Sequence, residues 1–486
     1  MREHLPVLPV LLTLTGALLM PVAAVLLPRA ARAITLTAMG AASLAAAGGV
    51  AEVLMHGPRR YAIGAWPGPW GIEAVLDPLS AFVVLVIVGV ATATLASAGP
   101  AVVSIYASAT PVFYSLALLA LTGFLGIVAS GDLFNVFVFL EVGALASYTL
   151  VASAGGRALA AAFRYVVLGT IGASFYLLGI GLLYALTGSL NMADLAQRLP
   201  AQAGSPLFAG GLAFVVIGLA IKMGLFPLHG WLPDAYTYAP PPAVALLAGV
   251  ATKAAVYALA RIMLHVLQPE GIPAGAAVAW AGGAAILAGG VLALRQSDAR
   301  RLLAYSSVSQ MGYIALGVGL ANAPSLAGAY LHILHHALMK STLFIAVGAS
   351  VLEGRGGTLA ALRLGERRPL LAACVVVAAL SLVGVPPAGG FFSKWYLLQG
   401  AVAAGQPALA AAILLGSLLA LGYAYRLTEA LWFPRADAAA PAAAPAAVQV
   451  SLVVLAVAIV VTGIASGAIV DVLLAPALAT VVSGDR

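Results

Sequence analysis

Apolar runs of about 20 residues, separated by short polar or Gly- and Pro-rich segments, recur along the whole sequence. A run of this length matches a helix that crosses the hydrocarbon layer of a membrane. Only 8% of the 486 residues are charged, whereas soluble proteins carry about 25%. No stretch is polar enough to form a soluble domain. The sequence therefore predicts an all-α, polytopic membrane protein.

The runs are assigned to fourteen transmembrane helices. The predicted spans are residues 5–27, 34–54, 75–97, 112–130, 132–153, 161–187, 207–227, 241–263, 273–294, 301–320, 325–352, 371–400, 407–432 and 448–475.

Lysine and arginine are distributed differently along the chain. The 19 arginines lie mainly between apolar runs. All four lysines lie inside or at the edge of such runs: Lys222, Lys253, Lys340 and Lys394. A lysine at the centre of a membrane helix costs about 2.5–3.5 kcal/mol on insertion scales, and unlike arginine it can release its proton. Arginine would then set the orientation of the chain in the membrane, and lysine would bind and release protons. A codon preference for arginine explains why lysine is scarce but not where the four lysines lie.

The arginines also predict how the chain is oriented. One set of alternate loops holds 13 arginines and the other holds 6. By the positive-inside rule the first set is cytoplasmic, which places both termini on the extracytoplasmic side. This topology explains the net charge of +7 better than a nucleic-acid partner would.

Two predicted spans share an interrupted design. The span 207–227 is broken at Phe226-Pro227, and the span 371–400 is broken at residues 384–390. Each has a lysine near its break, and the two lie five spans apart, so they enter the membrane from opposite sides. Broken helices at matching positions of inverted halves indicate an ion pathway near the membrane midplane. The predicted parts are a three-helix segment (1–110), a five-helix repeat with a proton half-channel (111–263), an inverted five-helix repeat (264–432), and a linker with the last helix (433–486).

Glu141 is the acidic residue that we expect at mid-depth in the membrane. It follows Asp132 by nine positions, or roughly 13 Å along a helix. A buried acid needs a partner or water, and Lys222 is the candidate partner. A static ion pair between two helices remains an alternative. Lys253 lies on the next predicted span among small residues, which permit close helix packing.

His332, His336 and Lys340 recur every fourth residue and so share one face of a helix. A metal site at the two histidines would need further ligands, whereas imidazole can relay protons near neutral pH. We therefore favour a proton pathway that contains no metal and that ends at Lys394. His335 points away from this face and is interpreted as packing. The single cysteine, Cys374, excludes an internal disulfide and argues against an iron–sulfur cluster. No cofactor motif is found.

Several motifs resemble the antiporter-like subunits shared by respiratory complex I, Mrp-type cation/proton antiporters and membrane-bound hydrogenases. The matching stretches are GDLFNVFVFLEVGALASYTLV, LTGSLNMADL, IKMGLFPLHGWLPDAYTYAPPPAVALLAG, LLAYSSVSQMGYIALG, HHALMKSTLFI and VGVPPAGGFFSKW. They cover about residues 112–400 in the order of the family, and DLFNVFVFLE and LNMADL are most similar to the D-type subunits of Mrp antiporters. Three consecutive prolines at 240–242 depart from the family pattern without affecting the charged residues.

The resemblance implies roles for the charged residues. Glu141 and Lys222 would be the coupled ion pair of the first half-channel, and Lys253 the link toward the centre. His332, His336 and Lys340 would lie on the central axis, and Lys394 would be the terminal proton site.

The resemblance also implies a subunit of a hetero-oligomeric complex in a bacterial or archaeal cell membrane. Its partners would be other membrane subunits, and it would move protons, with sodium as an open alternative. Any oxidoreductase activity would belong to the complex. A free-standing solute transporter and a transport-inactive scaffold remain alternatives.

Overall fold

The computed structural model describes residues 2–267, 271–352, 357–359, 362, 368–432 and 444–482. Most of these residues are helical. The helices are α1 (Leu8–Leu26), α2 (Ala31–His56), α3 (Pro78–Tyr106), α4 (Thr110–Ala129), α5 (Leu133–Ala152), α6 (Arg157–Thr187), α7 (Met192–Arg198), α8 (Pro206–Met223), α9 (Leu232–Tyr238), α10 (Pro241–Arg261), α11 (Ala274–Leu294), α12 (Ala299–Leu320), α13 (Ala323–Ser350), α14 (Pro369–Val383), α15 (Gly389–Ala403), α16 (Pro407–Trp432), α17 (Ala446–Ile464), α18 (Ser466–Ile469) and α19 (Ala475–Val482).

Eleven helical segments of the described chain are long and apolar enough to cross a membrane. The protein is thus a multi-pass membrane protein. Fewer segments qualify than the fourteen predicted, for three reasons. Helices α3 and α4 count as one segment of 52 residues, α12 does not qualify, and α14 and α15 have only 15 residues each. The number of crossings stays a prediction.

Polar side chains fix where several helices begin. Asp132 accepts a hydrogen bond from the backbone N–H of Asn135 at 2.8 Å and so caps α5. Asp77 and Ser80 form a reciprocal capping box at the start of α3, and Asp298 caps α12. These caps satisfy N–H groups that have no partner within their helix.

Two short strands depart from the all-α prediction. β1 (Arg59–Ala62) pairs antiparallel with β2 (Glu73–Leu76). The loop between them carries Trp66 and Trp70, both exposed, as expected for an interfacial loop. The strands form because this segment folds back on itself, and pairing satisfies its backbone groups.

Helices α10 and α13 form the centre of the protein. Every residue from Pro242 to Ala260 in α10 is buried, and so is every residue from Ser325 to Gly348 in α13. The two helices pack against each other, and α13 also contacts α3, α12, α14, α15 and α17. Side chains on their facing surfaces are therefore separated from lipid by protein.

Glycines allow other helices to approach closely. A Cβ on Gly312 in α12 would lie 2.5 Å from the carbonyl oxygen of Gly282 in α11, and a Cβ on Gly218 in α8 would lie 2.6 Å from that of Gly172 in α6. Small residues at crossings let backbones meet directly, as is typical of membrane helices.

Both predicted helix breaks are present and are closed by the same backbone motif. Helix α8 ends at Gly224 and α14 at Gly384, each with a positive φ. Beyond them, the N–H of Leu225 donates to the carbonyl of Ala220, and the N–H of Val385 to that of Leu380, both at 3.0 Å. This is the Schellman arrangement, in which glycine supplies the left-handed residue.

Some predicted features fall on residues outside the described chain. They are most of the linker, residues 433–443, and the loop arginines Arg355, Arg363, Arg367, Arg435 and Arg486.

Candidate functional site

Lys222 and Glu141 form an ion pair between α8 and α5. The Lys222 Nζ lies 3.0 Å from the Glu141 Oε1. The lysine side chain is 7% exposed and the glutamate 29%. Lys222 occupies the last turn of α8, where the helix dipole favours a positive charge. The pair therefore has one buried partner and one that reaches the surface of this chain.

Lys253 lies at the packed centre of the protein. Its side chain is fully buried on α10 and donates a hydrogen bond to the carbonyl of Ala248. Helix α10 packs against α13, which carries the buried residues His336 and Lys340. Adjacent turns of two fully buried helices thus bring three titratable groups together.

Lys340 is held by α12. Its Nζ donates to the carbonyl of Leu303 at 2.9 Å and to the hydroxyl of Ser306 at 2.5 Å. One turn away on α13, both ring nitrogens of His336 lack a hydrogen-bond partner among the described residues. Its ring stacks with that of His332, at 6.2 Å between centroids. His336 therefore lies between Lys340 and His332 on one face of α13.

His332 is the junction between α13, α12 and α15. One ring nitrogen lies 2.8 Å from the Ser393 hydroxyl, and the other lies 2.9 Å from the Gln310 amide oxygen. Both ring nitrogens thus have polar partners. The adjacent residue on α15 is Lys394, so the hydrogen bond to Ser393 brings His332 next to the last lysine.

Lys394 is bound to the end of the broken helix α14. Its Nζ donates to the carbonyls of Leu382 at 2.7 Å and Val383 at 3.1 Å. These carbonyls lie in the last turn of α14, which ends at Gly384. No later N–H group of the helix bonds them, so they can accept from the lysine. The amine also lies 4.6 Å from the centroid of the Tyr313 ring, which favours a cation. The break therefore builds the lysine site.

The predicted residues thus form two groups. Glu141 and Lys222 form the first, and Lys253, His336, Lys340, His332 and Lys394 form the second. Among the described residues, no hydrogen bond joins Lys222 to Lys253, although α8 packs against α10. No hydrogen bond between side chains of the described residues links the two groups.

Sequence reasoning missed the residues that connect the second group. Gln310 and Tyr313 follow a cluster of serines in α12, and Ser393 directly precedes Lys394, but these positions do not show which residues of other helices they contact. His335, interpreted as packing, lies against the second break, where a Cβ on Gly389 would be 2.3 Å from its Cδ2.

An arginine cluster was also missed. Asp234 in α9 binds both Arg164 of α6 and Arg301 of α12. In the sequence, these arginines indicate only orientation. Because they join three helices next to the first break, they also fix the short helix that follows it. No group of three or more His, Cys, Asp or Glu side chains in the described chain is arranged to hold a metal ion.

A family model described as "NADH:quinone oxidoreductase/Mrp antiporter, TM" matches residues 130–420. This range is more than half of the chain and contains every residue of both groups. The chain belongs to this family.

Members of the NADH:quinone oxidoreductase/Mrp antiporter family that resemble the chain come from more than one kind of complex. The N subunit of the NADH-quinone oxidoreductase of Desulforudis audaxviator is 46% identical over 88% of this chain and 86% of its own. The D-type subunit of the Na(+)/H(+) antiporter of Bacillus subtilis is 31% identical over 81% and 80%. The resemblance inferred from the motifs is thereby confirmed.

A solved structure of the Mrp complex from Dietzia has the same fold. One of its chains matches this protein with a TM-score of 0.89 and 27% identity, covering 100% of this chain and 98% of its own. The similarity therefore includes the helices at both ends that the family model does not cover.

Proposed function

We propose that this chain is a proton-translocating membrane subunit of a multi-subunit complex, either an Mrp-type antiporter or a complex I- or hydrogenase-like respiratory complex. The observation that carries the proposal is the series of buried titratable groups from Lys253 to Lys394, joined through His332 and Ser393. Each group can hold and release a proton. The similarity to the D-type subunit of an antiporter and to the N subunit of a quinone oxidoreductase supports the same function.

In the proposed mechanism, the Glu141 carboxylate stabilises the protonated form of Lys222, because an opposite charge favours the charged form. Separation of the pair removes this stabilisation, and Lys222 gives its proton to water. Water carries the proton from α8 to Lys253, since no hydrogen bond among the described residues joins Lys222 to Lys253. The proton then passes along Lys340, His336 and His332 to Lys394.

Fourteen crossings and two inverted five-helix repeats remain our proposal for the architecture. The position of a buried lysine at each break supports it: Lys222 lies in the last turn of α8, and Lys394 binds the carbonyl of Leu382 at the end of α14. We assign the first repeat to residues 111–263 and the second to residues 264–432. The first segment and last helix, residues 1–110 and 433–486, lie outside them.

The outer face of α5 supports a partner subunit. Its exposed residues Phe134, Val138 and Leu145 lie on the same side as Glu141. A carboxylate at mid-depth is unfavourable against lipid, whereas a neighbouring protein can supply polar groups or water. We propose that another integral membrane subunit covers this face.

Purification tests this point directly. The chain should be isolated together with other membrane subunits, and isolation of an active, free-standing chain would favour the solute-transporter alternative. A groove of about 630 Å³ between α2, α3, α13 and α17 has apolar walls and offers few groups to bind a polar solute.

The proton function is tested by substitution at the ion pair. Lys222→Ala and Glu141→Gln should each reduce proton flux by about two orders of magnitude in vesicles that contain the purified complex, since a positioned proton-transfer group contributes about 10²- to 10⁴-fold. Arg198→Gln is the matched control, because it removes an exposed charge paired with Asp194 outside the long helices. Unchanged flux in an assembled Lys222→Ala complex would refute the proposal.

A further inference from the structure

The indole of Trp231 closes the first helix break. Its ring N–H donates to the carbonyl of Ile221 at 2.8 Å. Ile221 directly precedes Lys222 in the last turn of α8, where carbonyl oxygens run short of N–H groups from their own helix. The same oxygen also accepts from the N–H of Gly224 at 3.1 Å. The indole is therefore fixed to the turn that carries the lysine of the ion pair.

Trp231 also reaches the helix of Glu141 through two tyrosines. Its ring stacks on that of Tyr165 in α6, at 4.0 Å between centroids and 3° between planes. The Tyr165 ring in turn meets that of Tyr148 edge-on, at 4.5 Å between centroids. Tyr148 lies in α5, about two turns after Glu141. One side chain thus connects the helices of both partners in the ion pair.

Trp231 is held from the centre of the protein as well. Its ring meets that of Tyr236 in α9 edge-on, at 6.2 Å between centroids. The Tyr236 hydroxyl donates to the carbonyl of Leu247 in α10 at 3.3 Å, and the Tyr236 ring contacts that of Phe344 in α13 at 5.8 Å. Trp231 and Tyr236 are each only 1% exposed. Aromatic pairs of this geometry add to the stabilisation from buried area, so the indole has little freedom to move.

The second break is closed by a different donor. An aromatic residue follows the glycine of each break at the same spacing, Trp231 after Gly224 and Phe391 after Gly384. Phe391 has no side-chain N–H to donate, and the carbonyls at the end of α14 bind the ammonium of Lys394 instead. The lysine of the second break thus closes its own helix. At the first break the indole does this, and the lysine is left for the ion pair.

We propose that Trp231 is a positioning residue for Lys222. Its N–H fixes the last turn of α8, and its stack with Tyr165 fixes that turn relative to α5. The inference rests on the proposed function and adds to it the residue that sets how firmly the ammonium is held against Glu141. An indole donates a hydrogen bond but takes no part in proton exchange, so Trp231 acts on proton release only through the position of the lysine.

Trp231→Phe tests the hydrogen bond, because it removes the N–H and keeps a ring that can stack on Tyr165. Proton flux is measured against pH in vesicles that contain the purified complex. A lysine held less firmly against a carboxylate loses its proton more readily, so the alkaline limb of the profile should move to lower pH by about half to one unit. The matched control is Tyr176→Phe, which loses a buried O–H bonded to the carbonyl of Leu133 at 3.0 Å and should keep the parent profile. A parent-like profile in Trp231→Phe, or an equal shift in Tyr176→Phe, overturns the positioning role.

Two substitutions at Tyr165 test the stack and give a result even if Trp231→Phe does not assemble. Tyr165→Leu removes the ring on which the indole lies and should shift the pH profile in the same direction. Tyr165→Phe keeps the ring and should retain the parent profile. Equal profiles in the two variants overturn the positioning role. Lys222→Ala is measured in parallel, and its retention of flux would refute the proton function separately.

Discussion

The ammonium of Lys222 lies 3.0 Å from the carboxylate of Glu141, and among the described residues it is the only lysine that forms an ion pair. Lys253, Lys340 and Lys394 donate instead to backbone carbonyls or hydroxyls. These acceptors can bond a charged or a neutral amine. One lysine is therefore matched to a fixed negative charge, and the other three can change protonation without leaving a carboxylate unpaired.

Lys222→Arg separates charge from proton transfer. Arginine can keep the ion pair with Glu141 but cannot release a proton. We expect the complex to assemble at parent levels and to lose about two orders of magnitude of proton flux. Assembly is measured by copurification and flux with a pH-sensitive dye inside vesicles. If Lys222→Arg supports normal flux, the lysine acts only as a fixed charge.

Ser393→Ala tests the link between His332 and the last lysine. It leaves one nitrogen of the buried His332 ring without its 2.8 Å partner, which should reduce stability by about 1–3 kcal/mol and proton flux several-fold. Ser97→Ala is the control, since the Ser97 hydroxyl bonds the carbonyl of Thr94 in its own helix. Thermal unfolding and flux are measured for both variants. Equal flux in both would exclude Ser393 from the pathway.

Gly312→Ala tests the packing of α11 against α12. The added Cβ would lie 2.5 Å from the Gly282 oxygen, and overpacking of this kind costs about 1–3 kcal/mol. Gly89→Ala in α3 meets nothing within 4 Å and should stabilise the protein slightly, by about 0.4–1 kcal/mol. Opposite shifts of the thermal midpoint are expected. A stable Gly312→Ala variant would mean that the two helices can move apart freely.

Single cysteines test the orientation. In a Cys374→Ser background, Trp70→Cys should react with an impermeant thiol reagent in intact cells. Ala154→Cys, exposed in the turn between α5 and α6, should react only after the membrane is opened. The reverse pattern would invert the assignment made from the arginines.

The helices and the charged residues could be predicted because their signals are local. An apolar run predicts its own helix, and Lys394 or His336 is conspicuous in such a run. The partners could not be predicted for a different reason. Lys394 binds the carbonyls of Leu382 and Val383. Every residue has a backbone carbonyl, so the sequence does not show which carbonyls bind the lysine.

Long-range partners were equally hidden. Arg261 forms an ion pair with Asp77, which lies 184 positions away in the sequence. The link between Glu141 and Lys222 spans 81 positions and could be named only as a candidate. Folding brings such groups together, and the sequence pattern within either segment does not encode the distance between them.

The complete burial of α10 has a consequence for biogenesis. This helix contacts α3, α4, α8 and α13, and α13 begins only at Ala323. During synthesis, α10 and its Lys253 are therefore incompletely covered by protein until α11, α12 and α13 have been made. For that interval its lysine faces lipid or the insertion machinery. Truncated chains that stop before α13 should accordingly be targets for membrane quality control.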